Sequence, residues 1–343
     1  MNSMELHASS GSTKVVFGDS REFLSSITGR TEMILVVDDN ITRIHGGKMN
    51  GFPRIVLEAG ESAKTLKTVE GIYHELMDKD VDKSSLIVGI GGGTVSDITG
   101  FAASTFKRGI PFGFVPTTLL AQVDASIGGK NGVNFNGYKN MIGVVRQPDF
   151  CVIDFSFLKT LPLEQLVSGM AEIVKCGAIL DPDLFLLVEE NYGEIISLDA
   201  GRLEQAVSRT VSSKMKVVGE DEMDGGERMK LNFGHTVGHA IEKVASLPHG
   251  HSISIGMAAE SWLAVQKGIL PSNEARRIEK LLKDIGLPTR YKMNIDEVLD
   301  AISKDKKGSG DSINIALPHC IGSGSIHKVR KEEFKDAVKR VCA

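Results

Sequence analysis

SLIVGIGGGTVSDITG, residues Ser85 to Gly100, decides the fold class. Its apolar run, rich in valine and isoleucine, reads as a strand buried on both faces, and the glycines that follow open a helix. Similar runs stand at MILVV (33 to 37), RIVLE (54 to 58) and FGFVP (112 to 116), with a further strand at Cys151 to Asp154. Between two of them, Leu66, Val69, Ile72, Tyr73 and Leu76 recur at helical spacing. Strands alternating with helical segments predict an α/β domain with a largely parallel sheet.

From about Leu163 onward the periodicity is helical, with helices expected around 165 to 178, 183 to 192, 202 to 219, 233 to 246, 251 to 267 and 273 to 285. A short hairpin, INIAL to SIHKV, precedes a final helix from about Lys331. The expected organisation is therefore an α/β domain over residues 1–156 and a mostly α-helical domain over 157–343, without internal repeats. The length, 343 residues, suits two domains at roughly 150 residues each.

Composition narrows the function classes. Hydrophobic residues at 41% and charged residues at 24% are ordinary for a soluble globular chain, and 37 glycines against 10 prolines imply tight turns within ordered structure. A net charge of -4 and a pI near 6.2 argue against nucleic acid as the partner, while local lysine clusters leave room for an anionic small molecule. Cys151, Cys176, Cys320 and Cys342 show no CxxC spacing and are expected to be reduced. MNSMELHASSGSTK at the N-terminus lacks the apolar core of a signal peptide, and no run of about 18 apolar residues could span a membrane. No membrane partner is expected, and the cytoplasm is the expected location.

Several segments can carry chemistry. The glycines of Gly89 to Gly100 can bring backbone amides to a phosphate at a helix N-terminus, or can serve only a tight turn. The run has neither the GxGxxG spacing of the dinucleotide fingerprint nor the GK[ST] ending of a P-loop. In GESAK, Glu61 and Lys64 can reach ribose and phosphate, although a capped helix start accounts for Glu61 equally well. DASIGGKNGVN and YKNMIG contribute Lys130, Lys139 and Asn140, which solvated loops would also explain. Glu172 and Lys175 stand three apart on one helix face, the spacing of an ordinary surface ion pair. Lys214 falls in the apolar stripe of Val207, Val211 and Val218, so it needs an anionic partner or must snorkel outward. Arg228 can add a planar fork for carboxylate or phosphate.

LNFGHTVGHA, Leu231 to Ala240, places His235 and His239 four apart on one helix face. His249 and His251 follow around Gly250, so four of the nine histidines fall within seventeen residues. An isolated pair of this kind can merely cap helices or satisfy core hydrogen bonds. The clustering favours a metal site, with both His235 and His239 as ligands on spacing alone.

The chain resembles the 3-dehydroquinate synthase family. The blocks that carry the resemblance are GGGTVSDITGF, VPTTLLAQVDASIGGKNGVN, KNMIG, FLKTLP, SGMAEIVK, LNFGHTVGHAIE and LPHG followed by IGM, in order from GESAK to the segment near 305 to 318. The resemblance implies an NAD-binding α/β domain joined to a helical metal domain. It also implies an NAD- and metal-dependent carbon-oxygen lyase of the shikimate pathway, which turns 3-deoxy-D-arabino-heptulosonate 7-phosphate into 3-dehydroquinate and phosphate with NAD regenerated in each turnover. Another sugar phosphate cyclase and a metal-dependent polyol dehydrogenase are the alternatives.

By the same resemblance, zinc, or else cobalt or another divalent ion, is held by Glu172, His235 and His249, and His239 passes to proton handling. NAD is held by Glu61, Lys64, Gly92, Gly93, Thr94, Val95, Ser96, Asp97, Thr117 and Thr118, with Lys130, Lys139 and the turn Phe157, Leu158, Lys159 and Thr160. Substrate meets Arg108, Asp124, Lys130, Asn140, Lys175, Lys214, Arg228, Asn232 and one of Lys306 and Lys307. The family further implies a homodimer. Four departures stand out: Ser96 replaces a usual glycine, His251 a usual glutamate, Cys176 a common tyrosine, and VVRQP an aromatic pair after KNMIG.

Overall fold

The computed structural model describes residues 2–28, 32–305 and 311–342, without the side chain of residue 305. The chain forms two compact units, Met1–Pro162 and Leu163–Ala343. The break comes six residues after the boundary expected at 156 and leaves Phe155–Thr160 with the first unit. That turn is anchored there by the Ser156 amide and hydroxyl, which donate to Asp154 at 3.0 and 2.5 Å, and by Phe157, which is buried among the apolar side chains of the sheet.

The first unit is a seven-stranded sheet: β1 (Asn2–Ala8), β2 (Gly11–Phe17), β3 (Met33–Asp38), β4 (Arg54–Leu57), β5 (Leu86–Gly91), β6 (Phe112–Pro116) and β9 (Phe150–Ile153). Its spatial order is β1-β2-β9-β6-β5-β3-β4, parallel throughout except for the edge strand β1. Met33, Leu35 and Val37 join the core on one face with Val88, Ile90, Val115 and Val152. Ile34, Val36 and Ile87, which point the other way, are also fully buried. Burial on both faces is why these strands read as continuous apolar runs rather than alternations. Helices α1 (Ser20–Ile27), α2 (Asp39–His45), α3 (Leu66–Asp78) and α4 (Gly93–Thr105) cover the sheet, and a separate hairpin, β7 (Lys130–Phe135) with β8 (Tyr138–Val145), packs on α4.

The second unit contains α5 (Leu163–Ile179), α6 (Pro182–Ile196), α7 (Ala200–Glu220), α8 (His235–Ala245), α9 (His249–Gln266), α10 (Ser272–Ile285), α11 (Ile295–Asp305) and α12 (Phe334–Cys342). The hairpin β10 (Ser312–Cys320) with β11 (Ser323–Arg330) completes it. Helix α9 is buried around nearly its whole circumference, with α5, α8, α10, α12 and β10 against it. A helix apolar on all sides belongs at the centre of a helical unit. Among the described residues, no helix is long and apolar enough to cross a membrane, and the four cysteines are free.

Candidate functional site

In the first unit the chain leaves β3 for β4 on one side, then returns and proceeds from β5 to β6 on the other. The carboxyl ends of β3 and β5 therefore flank the reversal point where open α/β sheets bind ligands. The glycine loop lies there. A Cβ on Gly91 would come within 2.5 Å of the Val95 side chain, so glycine is what lets α4 start directly against the strand end. Gly92 caps α4 without any side-chain hydrogen bond, which leaves the first-turn amides of Gly93, Thr94 and Val95 as donors. Uncapped amides with the positive end of the helix dipole fit the pyrophosphate of a dinucleotide. The hydroxyl of Ser96 turns back onto the Gly92 carbonyl at 3.3 Å and is buried, so this departure from glycine leaves the loop open.

Around the loop stand most of the residues expected to hold NAD. Glu61 accepts from Thr94 Oγ1 at 3.0 Å and from Asn134 Nδ2 at 2.9 Å. Lys64 is buried and ion-paired with Asp97. Burial pushes the Asp97 carboxyl up to about 6 against the pull of Lys64, and the carboxylates of Glu61 and Asp124 add to the rise. Thr117 donates its amide to Gly91 at 2.9 Å, and Thr118 caps the following turn through Ala121 at 3.1 Å. Phe157 and Leu158 are buried, whereas Lys159 and Thr160 are exposed, with Thr160 Oγ1 2.7 Å from His45 Nε2. Lys130, Lys139 and Asn140 are exposed on the β7–β8 hairpin. Arg108 is not gathered with the glycine loop. It follows the far end of α4, whose thirteen residues span about 20 Å.

In the second unit three elements converge. Helix α5 supplies Glu172, α8 begins with His235, and α9 begins with His249. Their approach depends on glycine: a Cβ on Gly256 would lie 1.9 Å from the Gly234 carbonyl oxygen, so no other residue allows α9 to meet the start of α8. The fully buried Glu260 fixes that start, accepting from the amides of Gly234 at 2.6 Å and Val237 at 3.0 Å.

One potential ligand atom from each of Glu172, His235 and His249 lies within 4.8 Å of the others. His249 Nε2 is 3.2 Å and His235 Nε2 3.8 Å from Glu172 Oε1. His235 Nδ1 faces the Phe233 carbonyl at 3.1 Å, which selects the tautomer whose Nε2 lone pair points at Glu172. Glu172 Oε2 is buried without an aligned hydrogen bond and meets Lys175 only as an ion pair. Two imidazoles and a carboxylate, converging from three helices, fit a divalent cation of the zinc type. A second group, His239, Glu242 and His249, satisfies the same 4.8 Å limit. Neither group contains both His235 and His239, so the pairing expected from spacing alone is not among these clusters, whereas Glu172, His235 and His249 are the three that the family resemblance implies.

The charges are strongly coupled. Burial opposes ionisation of Glu172, yet Lys175 and the neighbouring histidines hold its carboxyl well below the ordinary range. Burial and the Lys175 cation keep the His235 imidazole well below its usual value. Burial acts the same way on His249, but Glu172 and Glu242 outweigh it and push it up to about 9.

The Glu172–Lys175 pair is buried and lies inside the cluster, which rules out the surface reading of this spacing. Lys214 is likewise buried rather than snorkelling, and Arg228 is buried with Nη1 donating to the Glu222 carbonyl at 2.5 Å. Asn232 closes the turn that leads to His235, and His239 is exposed. His251 is half-buried and belongs to neither group, and Cys176 is buried with its thiol towards the Thr210 carbonyl. Lys306 and Lys307 lie outside the described residues.

Three carboxylates escaped the sequence reading. Glu242 lies three residues after His239 on the same helix face, Glu260 caps α8 from α9, and Asp38 ends β3 beside the reversal point. For Glu242 the signal was the i, i+4 and i+7 stripe of His235, His239 and Glu242. For Asp38 it was an acidic residue directly after an apolar strand.

Family models described as 3-dehydroquinate synthase N-terminal and C-terminal match residues 54–168 and 169–308. A 3-dehydroquinate synthase of Streptococcus sanguinis (strain SK36) is 39% identical over 330 residues, covering 93% of each chain. Among solved structures, 2-epi-5-epi-valiolone synthase from Streptomyces hygroscopicus subsp. jinggangensis 5008, with NAD+ and Zn2+ bound, superposes with a TM-score of 0.88 at 26% identity over 96% of each chain. A 2-deoxy-scyllo-inosose synthase complexed with carbaglucose-6-phosphate, NAD+ and Co2+ gives 0.89 at 26% identity, over 99% of this chain and 100% of that one. With both halves of the chain matched by the family's models and the metal-capable cluster in place, the chain belongs to the 3-dehydroquinate synthase family.

Proposed function

We propose that the chain converts 3-deoxy-D-arabino-heptulosonate 7-phosphate into 3-dehydroquinate and phosphate, with no net change in NAD. The observation that carries this reading is 38–39% identity to 3-dehydroquinate synthases over more than nine-tenths of the chain, together with an intact Glu172, His235 and His249 cluster. Bound NAD supplies a reversible hydride acceptor and a bound divalent cation supplies Lewis-acid polarisation of the oxygen being oxidised.

The protein's own groups set up that chemistry. Glu172, His235 and His249 hold the cation, and Glu242 and the Phe233 carbonyl fix the orientation of the two imidazoles. Lys175, buried against Glu172, keeps the carboxylate ionised and presents a cation to an anionic substrate. Lys214, Arg228 and Asn232 receive carboxylate, phosphate and hydroxyl groups. Buried cations on fixed helices lose little freedom when an anion arrives, which favours binding. His239, exposed one turn beyond His235, handles a substrate proton. In the first unit, the Gly93–Val95 amides hold the pyrophosphate, Glu61, Lys64, Asp97, Thr117, Thr118, Lys139 and the Phe157–Thr160 turn hold the rest of NAD, and Asp38 at the end of β3 joins this set. Asp124, Lys130, Asn140 and Arg108 are assigned to substrate by family resemblance. The enzyme is read as a cytoplasmic homodimer with no nucleic-acid partner.

The test is phosphate release from the heptulosonate phosphate with catalytic NAD and zinc, set against sedoheptulose 7-phosphate and glucose 6-phosphate. Preference for the heptulosonate supports the proposal. Preference for either of the other sugars assigns the chain to a different cyclase activity, and stoichiometric NADH to a dehydrogenase.

A further inference from the structure

His319 and His327 stand on opposite strands of the β10–β11 hairpin and belong to neither of the metal-capable groups described above. The register pairs Ile315 with His327 and Leu317 with Ser325, then breaks between Pro318 and Cys320. That irregularity brings His319 towards the other strand, and its Nε2 lies 3.4 Å from His327 Nε2, with the rings nearly perpendicular at 87°. Ser325 Oγ sits between them, 2.7 Å from His319 Nε2 and 2.9 Å from His327 Nε2.

We propose that His319 and His327 form a second transition-metal site, a two-imidazole chelate for Zn2+, Ni2+ or Cu2+ in which the Ser325 hydroxyl or water completes the coordination. Two nitrogens bound at about 2.05 Å with tetrahedral geometry are separated by about 3.3 Å, so the two Nε2 atoms already stand at chelating distance. Imidazole ligands suit these three ions, with Cu2+ the strongest binder. The nearby Lys267 is paired with Glu333 at 2.5 Å, which offsets its repulsion of a cation. A bound ion would tie β10 to β11 across the irregular register. Both strands pack on the Glu227–Asn232 turn, so the clamp would stiffen the support of Arg228 and Asn232.

Hydrogen bonding through Ser325 alone is the competing account of this geometry, and metal titration separates the two. The full chain, loaded with one equivalent of Zn2+ and freed of excess, is titrated with Ni2+ by calorimetry while released Zn2+ is followed with an indicator. One Ni2+ per chain should bind at micromolar concentration without releasing Zn2+, and either His319→Ala or His327→Ala should weaken that binding more than about tenfold. His319→Gln retains a side-chain partner for Ser325, keeps the hairpin's hydrogen bonding and should still lose Ni2+. His7→Ala, at another exposed histidine, should bind as the parent does. Absence of a second equivalent in the parent, or Ni2+ binding unchanged in both alanine variants, would overturn the site.

Discussion

Glu242 Oε2 lies 3.5 Å from Nδ1 of His249, whose Nε2 is turned to Glu172 Oε1 at 3.2 Å. A carboxylate behind one ring nitrogen fixes the tautomer and the direction of the other, and loss of such a partner costs about 10–100-fold in metal affinity. Glu242→Gln should therefore weaken binding of Zn2+ to the metal-free protein by that factor, measured by competition with a chromophoric chelator. The melting temperature should stay close to the parent's. Unchanged affinity would remove Glu242 from the metal's support.

Replacing His235 removes a proposed ligand while sparing the core. His235→Ala should abolish phosphate release and reduce bound zinc below one equivalent, with the far-ultraviolet circular dichroism unchanged. Turnover at the parent's rate would count against the ligand set.

Gly256 tests how the cluster is assembled. A methyl group there meets the Gly234 carbonyl at 1.9 Å and the Gly238 amide nitrogen at 2.7 Å, both backbone atoms that cannot swing aside. Gly256→Ala should cost about 1–3 kcal/mol or more in denaturant unfolding and should also lower zinc affinity, because α8 and α9 each carry a ligand. A loss of stability with metal affinity intact would show that the ligands tolerate displaced helices.

Asp154 gives a prediction in pH. Burial raises its carboxyl, but donors from Lys48, Ser156 and Ser20 outweigh that effect and lower it to about 2. A folded value below the unfolded one means that the contribution is complete above about pH 4 and drains away as pH falls towards 2. Asp154→Asn should cost about 1–2 kcal/mol at neutral pH and flatten the acid limb of the stability curve in that window. An acid limb identical to the parent's would contradict this assignment.

Periodicity made most elements legible. The strand expected at 112 to 116 is β6 to the residue, and the helix expected over 273 to 285 is found at Ser272–Ile285. Local patterning alone reads KNGVNFNGYKNMIG as loops that carry lysines, but the segment folds as the β7–β8 hairpin. Its turn is Asn136-Gly137, both at positive φ, a hairpin signal that few apolar residues accompany. Helix α11 and the β1–β2 pair were not anticipated either.

The site was legible to a different degree. The spacing of His235, His239 and His249 announced a metal centre, but local spacing alone would have chosen His239 over Glu172. Glu172 enters only through the packing of α5 against α9, which no single helix encodes. Lys175 and Lys214 were ambiguous for the same reason, since an ion pair's depth depends on which helices cover it.

The proposed reaction closes its redox cycle within one turnover. The most direct measurement follows phosphate release from 3-deoxy-D-arabino-heptulosonate 7-phosphate by the zinc-loaded chain with NAD far below the substrate concentration, recording absorbance at the NADH band in the same cuvette. Phosphate and dehydroquinate should accumulate to many equivalents of NAD with no net NADH. NADH rising in step with product, or no phosphate at all from this substrate, would contradict the account.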